Sequence, residues 1–285
     1  FKILNDRKIL LSDKNLEVKS NANHLVVKKV STLNIPEACH IENNGDIIVI
    51  NEDTGVEKII STKEFLEESI LKDLASQISA KKKTFPMPEI EIIQDKLGIS
   101  IKKGGNSNQK ADILLDIKNV NFEKENEGFG IKSYLGAKPT LLNASGATNF
   151  IYEVSGLNID ALETINSIDT RTKYKDRLKK ISDLGGQLNF YKIEKDELSY
   201  NLSLVDSMLP DLVAKMLQRF YENRTSSLSK NIEELYNENK EIGIDLHSLQ
   251  VKLKRLLVSN LLGFFPSIKW NGKNVSNGTI VVKKN

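Results

Sequence analysis

"KADILLDIKNVNFEKENEGFGIKS", residues 110–133, decides how the rest of the chain is read. Two apolar runs, "ILL" and "FGI", bracket a polar middle, a pattern that predicts a β-hairpin. Side chains alternate faces along a strand. Asp112, Leu114 and Asp116 therefore share one face, and Gly130, Lys132 and Tyr134 share one face of the return strand. A turn centred near Phe122 sets Asp112 opposite Lys132 and Asp116 opposite Gly128. The carboxylate and the ammonium are then cross-strand neighbours, with Cβ atoms about 5 Å apart. On a free hairpin such a pair is an exposed salt bridge, worth well under about 1 kcal/mol. In a buried sheet, which these apolar runs imply, the pair reads better as functional.

The rest of the composition bounds the answer. With 39% hydrophobic and 28% charged residues, the 285-residue chain reads as a folded protein and neither a disordered segment nor a fibre. Its 41 basic and 38 acidic residues leave a net charge of +3, which neither demands nor excludes a nucleic-acid partner. The single cysteine, Cys39, excludes an internal disulfide and a cysteine metal cluster, and a reduced, cytoplasmic compartment is expected. His24, His40 and His247 are too scattered for a zinc motif. "GGNSNQ" lacks the Lys-Ser/Thr ending of a phosphate-binding loop. No apolar run approaches the roughly 20 residues of a membrane helix, and no signal peptide is visible. "FKILND" reads as the last turn of a helix and "GTIVVKKN" as a strand with nothing after it, so both ends are expected to be trimmed relative to the natural protein.

Along the chain, residues 1–60 form a strand-rich segment, with "HLVVKKV" and "DIIVI" as strands. In residues 60–79, Phe65, Leu66, Ile70, Leu71, Leu74 and Ile78 make one helical stripe. "KKKTFPMPE" stops it with two prolines, and a short helix follows near "EIEIIQDKLG". After the hairpin comes a polar loop entering a short helix near Ser145, then Lys- and Arg-rich helices over 160–184. "GGQLNFYKI" and "LSYNLSLVD" read as strands. "PDLVAKMLQRFYEN" starts a helix at Pro210, and more helices run to about Leu262. Trp270 is expected in the core or as a packing lid, ahead of a base-stacking role. The expected architecture is α/β: a mixed core over 61–206 and a helical C-terminal region over 207–285 ending in a strand, with no repeat and no sharp linker.

The block "GFGIKSYLGAKPTLLNASGATNFIYEV", residues 128–154, resembles the signature of HpaII-type restriction endonucleases. Weaker likeness lies in "FKILNDRKILLSDKNL", "NLSLVDSMLP" and "WNGK…GTIVV". The Asp112…Lys132 hairpin resembles the PD-(D/E)XK nuclease core, a mixed sheet flanked by helices. The resemblance implies a type II enzyme that cuts double-stranded DNA at a short palindrome, CCGG or a relative, with Mg²⁺ as cofactor and a homodimer as the working form. It implies that Asp112 and the backbone carbonyl of Ile131 hold the cation and that Lys132 stands by the attacking water and the scissile phosphate. Lys138, Asn143, Ser145 and Asn149 become candidate DNA contacts, although a polar loop capping a helix has the same composition. The basic run Arg171, Lys173, Lys175, Arg177, Lys179 and Lys180, like Lys81–Lys83, reads first as a solvated face and second as a phosphate contact.

One position departs from the core pattern. Two residues before the lysine an acid is expected, and Gly130 stands there. A helix carboxylate is expected to substitute: Glu67 or Glu68 before the hairpin, Glu153 after it, or one on an absent N-terminal helix. Glu127 falls on the other face unless a bulge re-aims it. Three rivals to a restriction enzyme remain at this level: a nickase or junction resolvase on the same core, a non-catalytic DNA-binding module, and a globular protein in which the pair is a surface salt bridge.

Overall fold

The computed structural model describes residues 1–18, 20, 23–61, 68–80, 85–99, 110–135, 146–222, 227–238 and 243–283. It divides into two compact units. The first comprises 1–140 and 274–285, the second 141–273.

The first unit is built on one mixed sheet. Its elements in chain order are α1 (Lys2–Asp6), β1 (Lys8–Leu10), β2 (His24–Ser31), β3 (Glu37–Ile41), β4 (Ile47–Asn51), β5 (Glu57–Ile60), α2 (Glu68–Ala80), α3 (Pro88–Leu97), β6 (Ile113–Asn119) and β7 (Phe122–Ser133). The second unit contributes β8 (Phe150–Ser155), α4 (Ile159–Asn166), α5 (Lys173–Asp183), β9 (Gln187–Ile193), α6 (Asp196–Val205), α7 (Leu209–Tyr221), α8 (Leu228–Glu238) and α9 (Leu246–Leu262). The chain then returns to the first unit as β10 (Gly278–Val282).

The sheet order is β10-β7-β6-β2-β3-β4-β5, with β1 added to β2. All its ladders are antiparallel except β10 on β7. Alternation explains the burial: in β6, Leu115 and Ile117 are buried while Lys118 is exposed. Leu115 and Ile117 join Leu25 and Val27 of β2 in one apolar cluster, with Phe129 of β7 and Ile280 of β10 packed against it. On the β3–β5 side, Leu4 of α1, Leu74 of α2 and Ile93 and Leu97 of α3 cover Cys39, Ile47, Val49 and Ile60. Helix α3 carries proline in its first turn and ends at Gly98 in the left-handed conformation. The architecture is the expected one, a mixed sheet flanked by helices. Residues 62–67 of the expected stripe lie outside the described residues.

In the second unit, β8 and β9 form an antiparallel pair, and the helices bury Leu198, Leu202, Leu209, Met216, Ile232, Leu249 and Phe264 together. Asn158 and Asp245 cap α4 and α9 by accepting from Ala161 N–H and Ser248 N–H. Trp270 packs beside Phe264, ring centroids 5.9 Å apart, as expected of a core residue. The segment "LSYNLSLVD", expected as a strand, is helix α6 instead. Its buried residues, Leu198, Asn201 and Leu202, recur at helical spacing, and Asp196 and Glu197 sit in the first turn, where acids complement the helix dipole. Among the described residues no helix is long and apolar enough to cross a membrane.

Candidate active site

The hairpin is present, and its register is shifted from the expected one. The turn lies at Val120–Asn121, not around Phe122, and Ile113 pairs with Phe129, Leu114 with Gly128 and Leu115 with Glu127. Extended by one residue, this register places Asp112 beside Gly130, and Lys132 becomes its diagonal neighbour, a separation of about 7–8 Å in a regular sheet. A bulge lies between Leu115 and Ile117, opposite Asn126, whose backbone is left-handed (φ 53°) and whose N–H donates to Asp116 Oδ1 at 2.7 Å. The turn lies closer to β6 than expected, and the bulge, one extra residue on β7, takes back part of that displacement, so each β6 residue beyond it meets a β7 residue two positions earlier than expected. The exposed cross-strand ion pair occurs at the other end of the hairpin, where Lys118 faces Glu123 and lies 3.1 Å from it.

At the end that carries Asp112 the backbone leaves the ladder. Asp112 N–H donates to Phe129 O at 2.8 Å. Ile131 N–H, with no further β6 carbonyl to reach, donates to Asp112 Oδ2 at 2.6 Å. A carboxylate thus takes the place of a ladder partner, which fixes its orientation. The N–H and C=O of one strand residue project to the same side. The Ile131 carbonyl therefore projects to the edge where Asp112 stands. Asp112 is exposed, and among the described residues Ile131 N–H is its one hydrogen-bond donor. Lys132 is half-buried on the face it shares with Gly130.

Strand β10 supports this end from the far side of β7. It runs parallel, with Thr279 against Gly130, Ile280 against Ile131 and Val281 against Lys132. Ser276, 2% exposed, donates its hydroxyl towards Gly128 O at 3.2 Å, and Asn277 N–H donates to the same carbonyl at 2.7 Å. The sequence reading gave β10 as a strand but not its neighbour; nothing in "GTIVV" names a parallel partner so far upstream.

Gly130 has a steric reason. A Cβ there would lie 3.2 Å from the Lys110 carbonyl oxygen and 3.9 Å from Asp112 Oδ2. At Gly128 a Cβ would come within 2.9 Å of Ala111 Cβ and 3.2 Å of Val275 O. The two glycines let the 110–112 segment and the approach to β10 lie directly on β7. A side chain at 130 would need the Lys110 carbonyl to give by a few tenths of an ångström. Lys110 itself went unremarked in the sequence reading, although it opens the quoted stretch. Its side chain is half-buried, and burial, then the nearby Lys132 charge, bring its pKa down to about 8.

Among the described residues the substitute acid is not found. Glu127 accepts from Asn277 Nδ2 and lies 3.8 Å from Lys124, so it is held among those residues and not aimed at Asp112. Glu153 is exposed on β8 of the second unit. Glu67 and the Glu68 side chain lie outside the described residues. Among the described residues no group of three or more His, Cys, Asp or Glu side chains could hold a metal together. Of the candidate DNA contacts, Lys138, Asn143 and Ser145 also lie outside the described residues. Asn149 is exposed and donates through Nδ2 to Glu194 Oε2 at 2.7 Å, tying the start of β8 to the end of β9.

The sequence profile described as HpaII restriction endonuclease matches residues 1–285. Type II restriction enzyme HpaII of Haemophilus parainfluenzae is 30% identical over 296 aligned residues, which cover 100% of this chain and 79% of that one. No solved structure matches the chain.

Proposed function

The chain belongs to the HpaII restriction endonuclease family and is a type II site-specific deoxyribonuclease, and from that premise we propose that it cuts double-stranded DNA at CCGG or a closely related palindrome, using Mg²⁺ at Asp112. The observation that carries the reading is the strand-end geometry. The Asp112 carboxylate is locked by Ile131 N–H at 2.6 Å, on the edge to which the Ile131 carbonyl projects, with Lys132 its diagonal neighbour across the hairpin.

The donor set fits a hard cation. One carboxylate oxygen and one backbone carbonyl are both oxygen ligands, as Mg²⁺ prefers, and two protein oxygens leave room for the waters it retains. Asp112 and Ile131 O would hold the ion, with a further carboxylate from a helix as the proposed third group. Bound there, the cation polarises a phosphoryl oxygen and makes water more acidic.

The chain's own residues supply the rest. Ile131 N–H keeps Asp112 in one rotamer, so the carboxylate needs no reorganisation when DNA arrives. The Lys132 ammonium offsets charge building on the phosphoryl oxygens and orients the attacking water by donating to it. Lys138, Asn143 and Ser145 are proposed DNA contacts. Asn149, with its Nδ2 committed to Glu194, offers its carbonyl oxygen to a base. A homodimer is the proposed working form, because a palindrome presents each strand to one of two symmetry-related sites. A cytoplasmic location is proposed with it.

The test is digestion of a plasmid of known sequence with and without Mg²⁺, followed by sequencing of the ends. Discrete fragments with fixed ends at CCGG are expected only with the cation. Fixed ends at another palindrome would refute the CCGG assignment, and equal cutting in a chelator would refute the Mg²⁺ assignment. Cuts confined to one strand would favour the nickase.

A further inference from the structure

The basic run at 171–180 is where this chain concentrates its positive charge. It holds six basic residues and one acid, a net +5 against +3 for the whole chain, so the rest of the protein is slightly acidic. Most of the run lies on α5 of the second unit, and its charges have different uses. Arg177 is structural: it donates to Asn166 O at 2.8 Å and twice to Ile168 O, clamping the turn that precedes α5. Lys173 pairs with Asp169 at 3.0 Å. The acid, Asp176, accepts at Oδ2 from the hydroxyls of both Thr170 and Thr172, which turns its carboxylate towards the loop ahead of the helix. Arg171, Lys175 and Lys179 are exposed and, among the described residues, make no ion pair or hydrogen bond.

Lys175 and Lys179 are four residues apart, so they share one face of α5, and like charges at that spacing destabilise a helix. Lys175 also lies in the first turn, where the helix dipole disfavours a cation. A face kept only for solvation mixes signs and gathers opposite-charge pairs one turn apart. This face carries a repulsion that an anionic ligand would relieve. An exposed aromatic edge adjoins it: Tyr174 is 66% exposed, its ring 6.0 Å from Tyr221 of α7, which meets Phe220 edge-on at 5.3 Å. Lysine, arginine and tyrosine are among the side chains that contact phosphate and sugar in protein–DNA complexes.

We propose that the α5 face carrying Lys175 and Lys179, with Arg171 at its start, binds the phosphate backbone of the duplex DNA substrate. The proposal rests on duplex DNA being the substrate, and on nothing about CCGG, Mg²⁺ or Asp112. Phosphate contacts fix where a duplex lies without reading its bases, so the contact is the same for every sequence. A merely solvated helix face is the competing account.

The experiment uses the full chain with Lys175→Gln and Lys179→Gln combined, and with the same two residues changed to Arg. A charge-matched control combines Lys254→Gln and Arg255→Gln on α9, where both side chains are exposed. Binding of two fluorescent duplexes, one with CCGG and one without, is followed in Ca²⁺ across a salt series. The α5 glutamine pair is expected to bind both duplexes about tenfold or more weakly at low salt. It should also lose about two units of the slope of log K against log salt, one for each phosphate contact. The arginine pair and the α9 control should keep the slope. A wild-type slope in the α5 glutamine pair would overturn the proposal. An equal loss in the control would overturn it too, because the slope would then report net charge and not a contact. Loss confined to the CCGG duplex would overturn the sequence-independent contact. Should the glutamine pair unfold, Lys175→Gln and Lys179→Gln taken singly carry the same readout at about one unit each. If the wild type binds neither duplex, the proposal falls. If it binds but does not cut, the cleavage reading falls, and the salt slope still decides α5.

Discussion

Asp112 and Asn201 are two polar side chains put to opposite uses. Asn201 is wholly buried, and its hydrogen bonds are all made inside the second unit: Nδ2 donates to Phe265 O and Ile268 O, and Oδ1 accepts from Trp270 N–H, each at 2.8 Å. It ties the end of α9 and the loop beyond it to α6. Asp112 sits exposed at the mouth of a hairpin and, among the described residues, takes one hydrogen bond. A saturated polar group fixes a shape. A polar group that is oriented but not saturated keeps coordination capacity for something that arrives.

The contrast is broken most sharply at Asp112. Asp112→Asn should lower single-turnover cleavage about a thousandfold or more, and Lys132→Ala similarly. Both should leave the melting temperature within about 2 °C, because exposed or partly exposed polar changes cost little stability. A purified variant of either kind that cuts at the wild-type rate would refute the assignment. Asn201→Ala should do the reverse. Phe265 O, Ile268 O and Trp270 N–H lose their partner, which costs about 2–3 kcal/mol, read in a urea titration. An unchanged unfolding midpoint would mean that water takes over those bonds. Gly130→Ala falls between the two cases. Its Cβ presses on the Lys110 carbonyl, so about 1 kcal/mol of stability should be lost, together with a fall in cleavage as the 110–112 segment shifts. Wild-type cleavage by Gly130→Ala would show that the segment yields without moving Asp112.

The smallest expected effect concerns Cys39, buried in the first unit. Desolvation pushes its thiol up to about 11. The unfolded chain gives up that proton at a lower pH than the folded chain does. The resulting stability is present in full below the ordinary thiol pKa and is lost as pH rises towards 11. Wild type and Cys39→Ala should therefore converge in stability as pH is raised from 8 to about 11, and parallel curves would refute the burial argument. Thiol reagents at pH 8 should label Cys39 only on unfolding.

The sequence carried the elements well where one period dominated, as in "DILLDIKN", "GGQLNFYKI" and the helix begun at Pro210. It failed where two periods fitted at once. Leu198, Leu202 and Leu204 alternate with polar residues as a strand would, and only the burial of Asn201 beside Leu202 shows the helix. The candidate site was legible in its residues and illegible in its register. Alternation fixes which side chains share a face but not where the turn falls, and a turn misplaced towards β7 moved Asp112 from Lys132 to Gly130. The steric reason for Gly130 was out of reach, because it lies in the Lys110 backbone and not in any side chain.

Strand β10 also imposes a timetable. A ribosome delivers β6 and β7 first, then the whole second unit, and only then the strand that lines the outer side of Gly130, Ile131 and Lys132. At roughly 5–20 residues per second, that interval is on the order of ten seconds. Throughout it the edge of β7 that carries the proposed cleavage residues lacks its β10 neighbour, and a nascent chain with such an edge exposed is open to pairing with the wrong strand. Completion of the sheet edge beside the proposed cleavage residues therefore waits on β10, synthesised after the whole second unit.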